Sequence, residues 1–75
     1  MPEDSEVYSY YGRALGERGQ HFKGYLYLAY SELFANNEKR MNFWLDKAKK
    51  LATTQEDTKA LEKFNAKLRE RAAFW

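Results

Sequence analysis

The chain has 75 residues, no cysteine and a single histidine, His21. That length admits one domain, and the missing cysteines exclude disulfide staples and thiolate chemistry. Apolar residues make up 44%, aromatics 17% and charged residues 32%, which is too apolar for a disordered polymer, and the formal net charge is +2. No apolar run approaches the roughly 20 residues needed to cross a bilayer, and the acidic start Met1-Pro2-Glu3-Asp4 lacks the apolar core of a secretory signal. A cytoplasmic location is the expectation.

The charge is uneven. Residues 1–37 carry three basic and five acidic side chains, whereas residues 38–75 carry ten and six. All six tyrosines lie between Tyr8 and Tyr30, and Pro2 is the only proline.

Helical periodicity predicts four elements. The first runs from about Ser5 to Arg18, with Val7, Tyr11, Ala14, Leu15 and Arg18 at three- and four-residue spacing. Asp4 or Ser5 can cap it, and Gly19 is suited to end it. The second runs from about His21 to Ala35 and is apolar around most of its circumference, with a gap at Gly24, Ser31 and Glu32. Such a helix belongs at the centre of the fold. Asn36-Asn37 interrupts the pattern, because Asn suits both the end of one helix and the cap of the next. The third helix, about Glu38 to Leu51, places Met41, Trp44, Leu45, Ala48, Leu51 and Ala52 on one side. Thr53-Thr54-Gln55-Glu56 has the form of a capping box, a Thr with Glu three residues on. The fourth, about Gln55 to Ala72, carries the stripe Leu61, Phe64, Leu68, Ala72 and Trp75. Short connections predict antiparallel neighbours. The fold class is therefore an all-α antiparallel bundle of about four helices in one domain, with residues 5–36 as a first hairpin and 38–72 as a second.

The hairpins share a pattern. Tyr8-x2-Tyr11-Gly12-x2-Leu15 followed by Gly24-x3-Leu28-x2-Ser31 recurs 36 residues later. The second copy reads Trp44-x2-Lys47-Ala48-x2-Leu51 followed by Ala60-x3-Phe64-x2-Lys67. This resembles the tetratricopeptide repeat over about residues 5–72, a family with a period of roughly 34 residues. Lys47 and Lys67 depart from its usual residue types, and the terminal proline is missing from both copies. In such a hairpin Gly12 or Ala48 allows close approach of the helix carrying Gly24 or Ala60. The resemblance implies a concave groove lined by the first helix of each hairpin. Glu6, Ser9, Tyr10, Arg13 and Glu17 would face it from the first copy, and Asn42, Leu45, Asp46 and Lys49 from the second. Ser9, Arg13 and Asp46 stand where the family clamps a terminal carboxylate with Lys and Asn, so a mixed-charge groove for a helical or extended protein segment is expected instead.

Catalysis has little support. His21 has no oriented partner or nucleophile, no phosphate-cradling loop exists, and no glycine cluster follows a strand. No catalytic residue, metal ligand or cofactor is expected, nor a small-molecule substrate. Lys59, Lys63, Lys67 and Arg71 form a basic row on the last helix, and Lys47, Lys49 and Lys50 lie near the end of the third. The row could meet an acidic partner or nucleic acid, although Glu56, Asp57, Glu62 and Glu70 are interspersed. Tyr10, Tyr27 and Phe74 lie away from the main stripes and suit a binding surface. Phe74 and Trp75 would need cover, which a two-fold homodimer would supply. The expected role is a protein–protein interaction module (adaptor, chaperone or regulator), with nucleic-acid regulation through the last helix as the alternative.

Overall fold

A computed structural model describes residues 4–73. These residues form four α-helices: α1 Ser5–Glu17, α2 His21–Phe34, α3 Glu38–Leu51 and α4 Gln55–Ala72. There is no strand among the described residues. The bundle is all-α, as the periodicity predicts.

Local chemistry sets each boundary. The Asp4 carboxylate accepts the N–H groups of Glu6 and Val7 and so caps α1. Gly19 takes φ 82° and ends that helix. The Gln20 N–H reaches back to the Leu15 carbonyl and the Gly19 N–H to that of Gly16, a Schellman closure. The end of α2 repeats the device with Asn36 at φ 60°, the Asn37 N–H on Glu32 and the Asn36 N–H on Leu33. Asn37 then caps α3 by accepting the Arg40 N–H. The paired asparagines thus divide the two duties between them. The capping box of α4 lies one residue later than expected. Thr54 accepts the Asp57 N–H, and the Asp57 carboxylate accepts the N–H groups of Thr53 and Thr54. Thr53 and Glu56 are not the pair.

The close packings are α1 on α2, α2 on α3 and α4 on α2, so α2 is central. Leu26, Ala29 and Leu33 of α2, Met41, Leu45 and Ala48 of α3, and Phe64 of α4 form the buried cluster. Phe22, Tyr30, Trp44, Ala60, Leu61 and Leu68 pack around it. No residue of α1 belongs to that cluster. Instead α1 rides on the opposite side of α2, over the gap in its apolar arc. Gly24 and Ser31, which form much of that gap, are buried. The Ser31 hydroxyl donates to the Ser5 carbonyl at 2.7 Å, and Gly12 lies against Gly24. Small residues here make a helix seam where a polar surface stripe would be read from composition. Tyr8 closes the same seam further along, its ring 5.6, 5.5 and 5.1 Å from those of Tyr27, Tyr30 and Phe34.

Three apolar residues assigned to the stripes are exposed, Tyr11 of α1, Leu51 of α3 and Ala72 of α4. Phe74 and Trp75, named for self-association, lie outside the described residues.

Candidate functional site

Because α1 and α3 both pack on α2, a valley lies between them with α2 as its floor. Gly12, Gly16, Gly24 and Leu28 line its bottom, and Tyr25 and Trp44 form one wall. Arg13, Glu17 and His21 stand at its rim, and the hollow measures about 460 Å³. A second hollow of about 730 Å³ meets it at Arg13 and extends past Ser5, Ser9, Tyr10, Ser31 and Glu32. The three glycines keep the floor low. Gly12 and Gly24 are needed for the helix contact, whereas a Cβ on Gly16 would meet nothing within 4 Å and would project into open space.

The expected groove residues divide by helix. From α1, Glu6, Ser9, Tyr10 and Arg13 line the larger hollow, and Arg13 and Glu17 line the valley, so all five lie along these two adjoining hollows. From α3 the expectation fails. Leu45 is only 4% exposed and sits in the core. Asn42, Asp46 and Lys49 are exposed but are not among the residues lining either hollow. The α3 side chain in the valley is Trp44. At 3.6 residues per turn, Asn42, Asp46 and Lys49 lie nearly half a turn round the helix from Trp44. The core demand of Met41, Leu45 and Ala48 sets that rotation.

Trp44 is the residue that sequence reasoning placed wholly in the core. It is half-buried and stacks on Tyr25, with ring centroids 5.8 Å apart and planes 19° apart. Phe43 beside it is 54% exposed, and its ring meets that of Trp44 edge-on at 4.9 Å. The Lys47 ammonium lies 5.0 Å from the Phe43 centroid and 5.7 Å from that of Tyr25. The signal for this cluster was present in α3 as Phe43 beside Trp44, since at about 100° per residue Phe43 falls nearly opposite the core residue Leu45.

The basic row on α4 is not uniform. Lys59 and Lys63 are exposed, but Lys67 pairs with Glu70 at 3.7 Å. Arg71 donates to the Asn36 side chain at 3.2 Å and lies over the Phe34 ring at 5.3 Å, tying the end of α4 to the end of α2. Arg71 serves the chain's own fold and Lys67 has an acidic neighbour on its own helix, so the row is not a uniform cationic surface.

Comparison with protein-family models, with curated proteins and with solved structures finds no match.

The fold perturbs the titration of Tyr30 and of Asp57. Burial, reinforced by the neighbouring Tyr8 and Tyr27, pushes the Tyr30 phenol above its ordinary value. The Thr53 N–H above all, then the N–H and hydroxyl of Thr54 and the charge of Lys23, hold Asp57 below the usual carboxylate range. Neither lies in the valley. Among the described residues no group of three or more His, Asp or Glu side chains could hold a metal ion, and no helix is long and apolar enough to cross a membrane.

Proposed function

We propose that this protein is a small protein–protein interaction module, an adaptor, chaperone or regulator acting in the cytoplasm without catalysis of its own. Its site is the valley between α1 and α3, which receives a helical or extended segment of a partner. The observation that carries this reading is the composition of the valley. A glycine floor admits close approach, the Tyr25–Trp44 pair offers rigid aromatic area, and Arg13 supplies a rim cation. Tyr, Trp and Arg are the side chains in which binding energy concentrates at interfaces. The small-on-small contact of Gly12 and Gly24 is the kind the tetratricopeptide resemblance assigns to a hairpin, which supports the repeat-like reading of the first two helices.

Gly16 supplies the test. Gly16→Leu starts from a Cβ that meets nothing within 4 Å and extends into the valley that Gly16 lines, so it is expected to plug the site and keep the helices. Proteins captured from the native cell by the wild-type chain and lost from Gly16→Leu are the expected result. An identical set captured by both baits would overturn the reading.

A further inference from the structure

The outward face of α3 carries a pattern the fourth helix lacks. At roughly 100° per residue, Arg40, Phe43, Trp44, Lys47, Lys50 and Leu51 fall within one third of the helix circumference. Glu38 and Asp46, the acids of this helix, fall outside that arc. Glu32 of α2 engages Arg40 at 2.8 Å. Lys47 and Lys50 have no carboxylate partner among the described residues, and Lys50 is exposed. Between these cations stand the rings. Phe43 is more than half exposed, Trp44 abuts it, and Tyr25 continues the aromatic surface from α2. Lys47 is held over two of the three rings, so the cation and the aromatic surface form one unit.

From this interleaving we infer that the α3 face binds single-stranded nucleic acid, with Lys47 and Lys50 on successive phosphates and Phe43 against an unpaired base. Charge complementarity selects a polyanion, and the exposed ring selects among polyanions. An aromatic flanked by cations stacks on bases that are free of a partner strand, whereas a duplex hides its base faces and offers phosphates alone. An acidic protein segment would use the lysines but would gain little from the ring. The inference goes beyond the valley reading, and the two sites meet only at Trp44 and Tyr25.

Fluorescence anisotropy of the full chain with a fluorescein-labelled oligothymidylate of about 15 nucleotides tests it, with a DNA hairpin duplex and anionic lipid vesicles as competing probes. Binding in the range of about 1–100 µM is expected, weakening steeply between about 50 and 200 mM salt, with the duplex bound more weakly. Phe43→Ala is expected to lose about tenfold in affinity and Phe43→Tyr to retain it. Lys50→Ala, at an exposed position that the fold does not use, lowers the salt slope by roughly 0.7. Gly16→Leu and the paired Lys59→Ala/Lys63→Ala variant leave binding unchanged. No binding at about 100 µM in low salt, a duplex bound equally or better, or vesicle binding without oligonucleotide binding would each overturn the inference. So would insensitivity to Phe43→Ala, or a loss that follows Lys59 and Lys63 instead.

Discussion

Gly12 and Gly24 face each other so closely that a Cβ built on either would lie 2.9 Å from the other's carbonyl oxygen. The Cβ of residue 24 would also come within 3.1 Å of the Gly16 nitrogen. These obstacles are backbone, so relief requires α1 to move off α2. Gly24→Ala is therefore expected to destabilise the fold by about 1–3 kcal/mol, and Gly24→Leu by more. Gly16→Ala, one turn from Gly12 on the same helix, meets open space and replaces a helix-interior glycine. It is expected to stabilise by about 0.5–1 kcal/mol. Thermal melts read the opposite signs directly, at roughly 4–8 °C per kcal/mol for a domain of this size. Equal melting temperatures for the two variants would contradict the seam.

Arg71 stands apart from the exposed Lys59 and Lys63 of the α4 basic row. Its guanidinium joins Asn36, the left-handed residue that closes α2, and covers Phe34. Arg71→Ala is expected to cost about 1 kcal/mol, from the loss of a charge-assisted hydrogen bond and a ring contact. Lys59→Ala and Lys63→Ala are expected to stay within about 0.5 kcal/mol of the wild type. Urea unfolding of the three variants distinguishes them.

At alkaline pH the Tyr30 phenol becomes a liability. Its folded-state pKa is raised above 10.0, chiefly by burial. A raised phenol contributes stability that is complete below the unfolded value and is lost as the pH rises through the folded one. Stability should therefore fall above about pH 10, and Tyr30→Phe should weaken that dependence. Chemical denaturation across an alkaline pH series, in the wild type and Tyr30→Phe, checks both.

Acid acts at the other end of the chain's structure. Asp57 is lowered because its carboxylate accepts the Thr53 and Thr54 N–H groups at the start of α4. A lowered carboxylate contributes stability above its unfolded value, and that contribution disappears as the pH falls through the folded value. The Asp57→Asn variant should therefore be less stable than the wild type at neutral pH, with the difference narrowing in acid. Thr54→Ala removes the reciprocal bond and is expected to cost about 1 kcal/mol. Far-UV circular dichroism during acid titration follows both.

Helix positions were legible along the chain because their causes are local. Asp4, Gly19, Asn36 and Asn37 each act on backbone groups within a few residues, and the all-round apolarity of α2 announces a central helix. The one-residue displacement of the α4 capping box shows the limit even there, since Thr53 with Glu56 and Thr54 with Asp57 are both plausible pairs until the helix entry is set. The α1 share of the site came from the repeat resemblance, and Arg13 and Glu17 do reach the valley because each follows a glycine, Gly12 or Gly16, that lines it. The α3 share was not legible. Helical periodicity supplies an apolar arc, but the arc of α3 is wide, running from the core residues Leu45 and Met41 round to Trp44 and the exposed Phe43 and Leu51. Which part of it meets α2 depends on the side chains that Leu26, Ala29, Leu33 and Phe64 offer in return. That choice turned Leu45 inward, sent Asn42, Asp46 and Lys49 away from the valley and left Trp44 on its wall. It rests on mutual packing between helices distant in sequence, which no single helix encodes.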